Sequence, residues 1–425
     1  MNTTPQGERI RIVLAGRCNV GKSSLINALA GQPVAIVSGE RGTTTDPVRK
    51  AMEMLPLGPV LLCDTAGLDD VSTLGAARLE KTRAELRQAD LVLLVCDASS
   101  PSGVREADVP HPFPEQAVLE EAAAHGIPAI VVLNKSDLGG KDAVAQDAVA
   151  SGFAPSASAE GRSNLSERPL PVSALTGAGI PELKAAIIAA IPQEKHQRRI
   201  VADLVTPGSV VVLVVPIDSA APKGRLILPQ QQTIRDLLDS GCIPLVVRDT
   251  ELAAALAALK APPALVVTDS QAFGKVAAIV PPSVPLTSFS ILFARYKGDI
   301  DALVEGAGAV AALKDGDRIL IAEGCTHHRQ DDDIGTVKIP RLLRQKTGKE
   351  LVFEHCSGIG YPPNLADYAL VVHCGGCMLN RREMLERIAA ARAAGVPIVN
   401  YGVLLAAMNG ILPRALAPLA ASGVR

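Results

Sequence analysis

The chain has 425 residues, a formal net charge of −2 and 48% hydrophobic residues, with aromatics at only 2% and no tryptophan. Its length allows two to four domains with buried cores, and its near-neutral charge argues against a surface built for nucleic acid or an anionic membrane. The apolar residues are mostly Ala, Val, Leu and Ile, which suit parallel sheets flanked by helices, and no apolar run nears the roughly eighteen residues of a membrane span. With no basic-plus-apolar leader, a soluble, cytoplasmic protein is expected, in contact with neither membrane nor nucleic acid.

The first 192 residues alternate apolar runs with helical patterns: RIRIVLAG, VLLCDTAG, LVLLVCDAS, AIVVLNK and LPVSA. This alternation predicts βαβ units and a mostly parallel sheet. GRCNVGKS, Gly16 to Ser23, matches G-x-x-x-x-G-K-[ST] between a strand and an amphipathic helix. Backbone N–H groups of Gly16, Asn19, Val20 and Gly21 would wrap the phosphates at the helix N-terminus, together with Ser24. Lys22 would reach the β- and γ-phosphates and Ser23 would ligate magnesium. DTAG follows an apolar run, so Asp64 would hold magnesium through water and Gly67 would face the γ-phosphate. In NKSD, Asn134 and Lys135 lead to Asp137, whose carboxylate would accept from guanine N1–H and its exocyclic amine. Ser173, Ala174 and Leu175 end a later strand and would back the base. Cys63 and Cys96 lie in apolar strands and Cys18 in a loop, and they read as incidental thiols.

The order of these four motifs resembles the translational-type GTPases, and most closely the branch of Era and MnmE. In that branch the switch reads Gly-Thr-Thr-Arg-Asp. Here it is GTTTD, Gly42 to Asp46, with Thr45 in the Arg place, and the resemblance makes Thr44 the magnesium-coordinating threonine. Asn19 matches an asparagine linked in that branch to potassium. Leu68 stands where Ras-like enzymes carry a water-orienting glutamine, which implies slow intrinsic hydrolysis stimulated by a monovalent cation or by self-association.

Residues 139–169 read as an Ala/Ser/Asp/Gly-rich segment ending in a solvated loop, and QEKHQRR after Pro192 reads as a linker. SVVVLVVPID, CIPLVVRD and ALVVTDS then predict strands, with QQQTIRDLLDSG and ELAAALAALK as helices. No catalytic constellation stands there; Asp218, Lys223 and Arg225 read as turn and surface residues, and the segment as a scaffold or dimerisation domain. From Pro285 onward, GDIDALVEGAGAVAALKDGD predicts a helix, RILIAEG, LVFEHCSG and YALVVHCG strands, RREMLERIAAARAAG a helix, and VPIVNYG a last strand.

Four of the eight cysteines fall in the last 101 residues. Cys325, Cys356 and Cys374 each close a predicted strand, at the sheet edge where ligands sit in parallel folds. Cys325-Thr-His327 is followed after 45 residues by His373-Cys374-Gly-Gly-Cys377. Structural zinc, a Cys374/Cys377 redox pair and an iron–sulfur cluster all fit these residue types. The redox pair alone leaves Cys325 and His327 unexplained.

A C-x-H…H-C-x-x-C tail behind an Era-like GTPase and an α/β spacer resembles HydF, the FeFe-hydrogenase maturation GTPase family. That resemblance implies a 4Fe–4S cluster held by Cys325, Cys374 and Cys377. His327 and His373 are then open between fourth ligand, partner of the cluster sulfurs and anchor for cargo. It further implies a homodimeric scaffold that binds GTP and receives a di-iron subcluster precursor from two radical-SAM maturases. The scaffold would pass this precursor to apo FeFe-hydrogenase. The expected layout is α/β throughout: a P-loop GTPase domain over 1–198, a dimerisation domain over 199–284, and a cluster-binding domain with a parallel sheet over 285–425. A zinc-stabilised regulatory GTPase in ribosome or tRNA work is the alternative.

Overall fold

The computed structural model describes residues 7, 9–31, 49–65, 67–68, 82–99, 114–138, 169–191, 198–216, 226–324, 333–358 and 361–421. The chain divides into two compact units, Met1–His196 and Gln197–Arg425.

In the first unit the described elements run β1 (Ile10–Ala15), α1 (Lys22–Ala30), β2 (Arg49–Met54), β3 (Gly58–Asp64), β4 (Leu91–Asp97), α2 (Pro114–Ala124), β5 (Ala129–Asn134), β6 (Leu170–Pro171) and α3 (Ile180–Ala190), with a further helical stretch at 82–87. The sheet order is β2-β3-β1-β4-β5-β6. All pairs are parallel except β2–β3. Successive strand residues serve opposite cores. Ile12, Leu14, Leu91 and Leu93 pack with Leu25, Leu29, Leu183 and Ile187 of α1 and α3. Val13, Ala15, Val92 and Leu94 pack with Val118, Leu119 and Ala122 of α2. Burying each Val, Leu or Ile contributes about 1.5–3 kcal/mol, and a polar residue on either face would forfeit it, so these strands read as unbroken apolar runs. β2, RKAMEM, was not foreseen. It alternates exposed and more buried positions at an antiparallel edge, where the exposed charges of Arg49 and Glu53 discourage pairing with another chain.

The second unit continues with β7 (Val210–Val214), α4 (Leu228–Asp239), β8 (Ile243–Val247), α5 (Leu252–Ala258), β9 (Leu265–Thr268), α6 (Phe273–Ile279), β10 (Leu286–Ser288), α7 (Phe289–Lys297) and α8 (Ile300–Gly308). Then follow β11 (Arg318–Glu323), α9 (Ile339–Thr347), β12 (Val352–Ser357), β13 (Leu370–His373), α10 (Arg381–Ala393), β14 (Ile398–Asn400), α11 (Tyr401–Met408) and α12 (Leu412–Ala421). Two parallel four-stranded sheets result, ordered β10-β9-β7-β8 and β12-β11-β13-β14. The boundary expected between 284 and 285 falls before β10, which pairs with β9 and so completes the earlier sheet. One continuous core runs beneath both sheets, from Ile200 to Leu419.

Local sequence fixes the helix starts in this unit. Ser288, Asp299, Asn380 and Asn400 each cap a helix by accepting the N–H three residues on. Asp333 does the same for a helical turn at Ile334–Lys338. α8 lies directly on β14, because a Cβ at Gly306 would stand 1.9 Å from the Ile398 carbonyl oxygen. Among the described residues no single helix is long and apolar enough to cross a membrane.

Candidate nucleotide and cysteine sites

The first loop leaves the carboxyl end of β1 and enters α1 at Lys22. Its glycines are required by closeness. A Cβ at Gly16 would meet the Val95 carbonyl oxygen at 2.2 Å, and one at Gly21 would meet Asn134 Nδ2 at 2.3 Å. Bare backbone therefore lines the helix N-terminus, where N–H groups favour an anion. Lys22 folds over the loop, its Nζ donating to the Gly16 and Arg17 carbonyls at 2.9 Å each. Arg17 is held from the side by Glu115, Nε to Oε1 at 2.5 Å and Nη2 to Oε2 at 3.2 Å, a pair with no signal in the sequence. Asn19 is exposed and left-handed, at φ 61°; Val20 is buried and Ser24 half-buried.

Ser23 donates its hydroxyl to Asp64 Oδ2, while Asp64 Oδ1 is buried with no hydrogen-bond partner among the described residues. Burial raises the Asp64 pKa, against the opposing influence of Ser23 and Lys22. A hydroxyl and an unsatisfied carboxylate oxygen side by side fit a magnesium ion and its waters. Thr65 donates twice to the Leu14 carbonyl and the Leu68 N–H to that of Gly16 at 3.3 Å, so Gly67 crosses the phosphate loop. Asn134 binds two loops at once: Nδ2 donates to the Val20 carbonyl at 2.8 Å and Oδ1 accepts from the Ala174 N–H at 3.0 Å. Lys135, left-handed at φ 62°, donates to Asp97 at 2.5 Å, and Asp137 is exposed beyond it. Ser173 is buried and accepts from the Thr176 N–H, with Leu175 exposed. The structure thus gathers Gly16–Ser23, Asp64, Gly67, Asn134 and Ser173 at one sheet edge. Thr44 and the rest of GTTTD lie outside the described residues. Cys63 and Cys96 are pushed up to about 12 by burial, consistent with inert thiols.

In the second unit the register sets Cys356 on β12 and His373 on β13 on either side of Ala322 in β11. Cys374 follows at once, and its sulfur accepts the N–H groups of Gly324 at 3.2 Å and Gly376 at 3.4 Å. Burial raises the Cys374 thiol pKa, and these two donors oppose the rise. Gly324 cannot be larger, because a Cβ there would lie 2.6 Å from Leu379 Cγ. Cys377 is half-buried in the next turn. Cys356 is half-buried, its thiol raised by burial, with Arg387, Glu323 and Cys374 also felt there. Glu323 is buried at the end of β11 and accepts from the Tyr401 hydroxyl at 3.2 Å. Cys325 and His327 lie outside the described residues, and no three His, Cys, Asp or Glu converge as metal ligands among the described ones.

His373 is wholly buried, and both ring nitrogens are engaged. Nδ1 bonds the Cys374 carbonyl at 2.7 Å and Nε2 meets Arg387 Nη1 at 3.1 Å. A carbonyl only accepts and a guanidinium only donates, so the proton sits on Nδ1. Burial, and then Arg387, lower the His373 pKa to about 4. Arg387 also donates to the Gly358 carbonyl and lies over the Tyr361 ring. Sequence reasoning missed Arg387; its one trace is a place on the buried stripe Glu383, Met384, Arg387, Ile388 and Ala391 of α10.

Family models cover most of the chain. The 50S ribosome-binding GTPase model matches residues 11–135, the hydrogen maturase F dimerization domain 200–298, and the hydrogen maturase F tetramerization domain 301–418. The tRNA modification GTPase MnmE of Nitrosomonas europaea is 38% identical over 182 residues, 43% of this chain and 34% of that protein. MnmE of Burkholderia mallei is 41% identical over 140 residues, 32% of this chain and 27% of that protein. The chain thus spans between about a quarter and a third of the length of these curated relatives. Among solved structures, Era of Aquifex aeolicus bound to GDP·AlF4− is 21% identical, with a TM-score of 0.35 over 56% of this chain and 92% of that one. A P-loop GTPase domain is therefore followed by both oligomerisation domains of one maturase, and the chain belongs to the hydrogen maturase F family.

Proposed function

We propose that the chain is a GTP-binding and GTP-hydrolysing scaffold that carries a 4Fe–4S cluster and delivers a di-iron subcluster precursor to apo FeFe-hydrogenase. The observation that carries this reading is Cys374, a half-buried cysteine at the carboxyl edge of β13 whose sulfur takes two backbone N–H groups. Such donors stabilise a thiolate, the form that binds metal. One donor is Gly324, and Cys325 is the next residue in the chain. Cys325, Cys374 and Cys377 would hold the cluster, which supplies electron storage and one iron open to an exchangeable ligand. His373, with both nitrogens engaged, braces the Cys374 carbonyl, and His327 is left as the histidine available to that iron. Radical-SAM maturases would supply the precursor, with the homodimer as the working form.

In the first unit, Lys22 would leave its loop carbonyls for the β- and γ-phosphates. Ser23, Asp64 and Thr44 would hold magnesium, Gly67 would contact the γ-phosphate, and Asp137 would select guanine. Anaerobic reconstitution with iron and sulfide tests the cluster reading. A brown protein with about four irons per chain and an EPR signal on reduction is expected, lost on replacing Cys374 by Ala. A colourless protein holding stoichiometric zinc would replace the scaffold by a zinc-stabilised regulatory GTPase.

A further inference from the structure

Resting on the cluster reading above, we propose that Lys297 is a positioning residue for the cysteine loop: it holds the Cys374–Leu379 turn in shape and raises the reduction potential of the cluster bound there. Lys297 is the last residue of α7, inside the stretch that matches the dimerization domain, and is 2% exposed. Its Nζ meets three carbonyl oxygens of one turn, Gly376 at 3.4 Å, Cys377 at 3.0 Å and Leu379 at 3.0 Å. Lysine is rarely buried so deeply, because the ammonium loses its water. Three N–H donors against three carbonyls offset that loss.

The turn has two polar sides. Its carbonyls face Lys297, while the Gly376 N–H faces the Cys374 sulfur. The Leu379 N–H closes the turn on the Gly376 carbonyl at 3.1 Å, and the Leu379 side chain presses on Gly324, the other donor to that sulfur. Lys297 therefore fixes both donors, one through the backbone and one through Leu379.

A basic residue in the last turn of a helix ordinarily serves that helix's own carbonyls, but Lys297 reaches to another element. The end of α7 is served instead by Arg381, the first residue of α10, which donates to the carbonyls of Tyr296 at 2.9 Å and Gly298 at 2.8 Å. The two elements clasp each other, α7 lending a lysine to the turn before α10 and α10 lending an arginine to α7. A cation set beneath thiolate-bound iron favours the more electron-rich state, so it raises the potential.

Lys297→Met keeps the stem and removes the ammonium; Lys297→Gln keeps amide donors without the charge. In the metal-free proteins, amide hydrogen exchange across 374–379 is expected to be at least about tenfold faster in Lys297→Met, with partial recovery in Lys297→Gln. In the reconstituted proteins both substitutions should lower the midpoint potential. A tenfold change in the reduced-to-oxidised ratio corresponds to about 59 mV for one electron. Unchanged exchange in the metal-free variants would overturn the positioning role, and unchanged potentials would overturn the electrostatic one. A wild type that loads zinc and no iron sinks the cluster reading, while the exchange comparison still decides the role of Lys297. If Lys297→Met fails to fold, Lys297→Gln carries both measurements.

Discussion

Arg387 and His373 form a buried contact of 3.1 Å at the carboxyl edge of the third sheet, with exposures of 4% and 0%. Replacing Arg387 by Met would leave the His373 Nε2 and the Gly358 carbonyl without this donor, inside the protein. Each buried unsatisfied group costs about 1–3 kcal/mol. The metal-free protein is expected to lose roughly 2–4 kcal/mol in urea unfolding followed by fluorescence of a dye on the second unit. A loss under about 1 kcal/mol would mean that the pair contributes little.

Asn134 ties the phosphate loop to the Ser173–Leu175 loop, so Asn134→Ala should loosen both walls of the nucleotide site. Two lost hydrogen bonds, at about 1 kcal/mol each, predict a ten- to thirtyfold weaker GDP affinity by fluorescent-nucleotide titration. Asp137→Asn should instead change the choice of base, since an amide can donate to the C2 carbonyl of xanthine. A variant that still prefers GDP over XDP would remove Asp137 from guanine recognition.

Ile243 and Val246 are exposed on β8, the outer strand of its sheet, within the stretch that matches a dimerization domain. An unpaired apolar edge strand is a template for pairing. Val246→Lys is expected to weaken self-association by at least about tenfold, the worth of roughly 1.4 kcal/mol, in sedimentation velocity. Unaltered association would place the dimer contact elsewhere.

Leu68 follows Gly67 and supplies no group to orient water, and the exposed, left-handed Asn19 is the candidate potassium contact. Single-turnover GTP hydrolysis should be slow in sodium and several-fold faster in potassium, with the difference reduced in Asn19→Ala. Equal, fast rates in both salts would contradict this.

Burial pushes the thiols of Cys63 and Cys96 up to about 12, so thiolate is scarce at neutral pH. Raising the pH from 7 to 9.5 lies wholly below that value and should leave both unalkylated in the native protein. Cys18, exposed in the phosphate loop, should react promptly. Peptide mapping after iodoacetamide treatment reads all three.

Much of this architecture is legible from local pattern. Strands such as β1, β4 and β7 announce themselves because both faces are buried, and the carboxyl-edge placement of Cys374 follows from the end of YALVVHCG. β2 escaped because RKAMEM has too many charges to read as a run, and α7 because FSILFARYK carries apolar residues all around. The partners of the sites were invisible for a different reason. Lys297 and Gly376 are 79 positions apart, as Cys374 and Gly324 are 50 apart, and only the fold brings each pair together. His373 could be named from its motif, but the occupation of both its nitrogens depends on Arg387, nearly two turns inside a helix whose charged residues look solvated.

The last helix returns to the earlier sheet. Thr287 on β10 donates to the Ala415 carbonyl at 2.8 Å, and Arg414 caps the end of α6 through the carbonyls of Ala277 and Val280 at 3.0 and 2.8 Å. Residues 412–421 thus finish a layer begun more than a hundred positions earlier. A gene break placed between the two oligomerisation stretches would yield two fragments with open apolar wounds rather than two domains. The shared core makes the pair one folding block, and removing residues 412–421 would unsettle β10 as well.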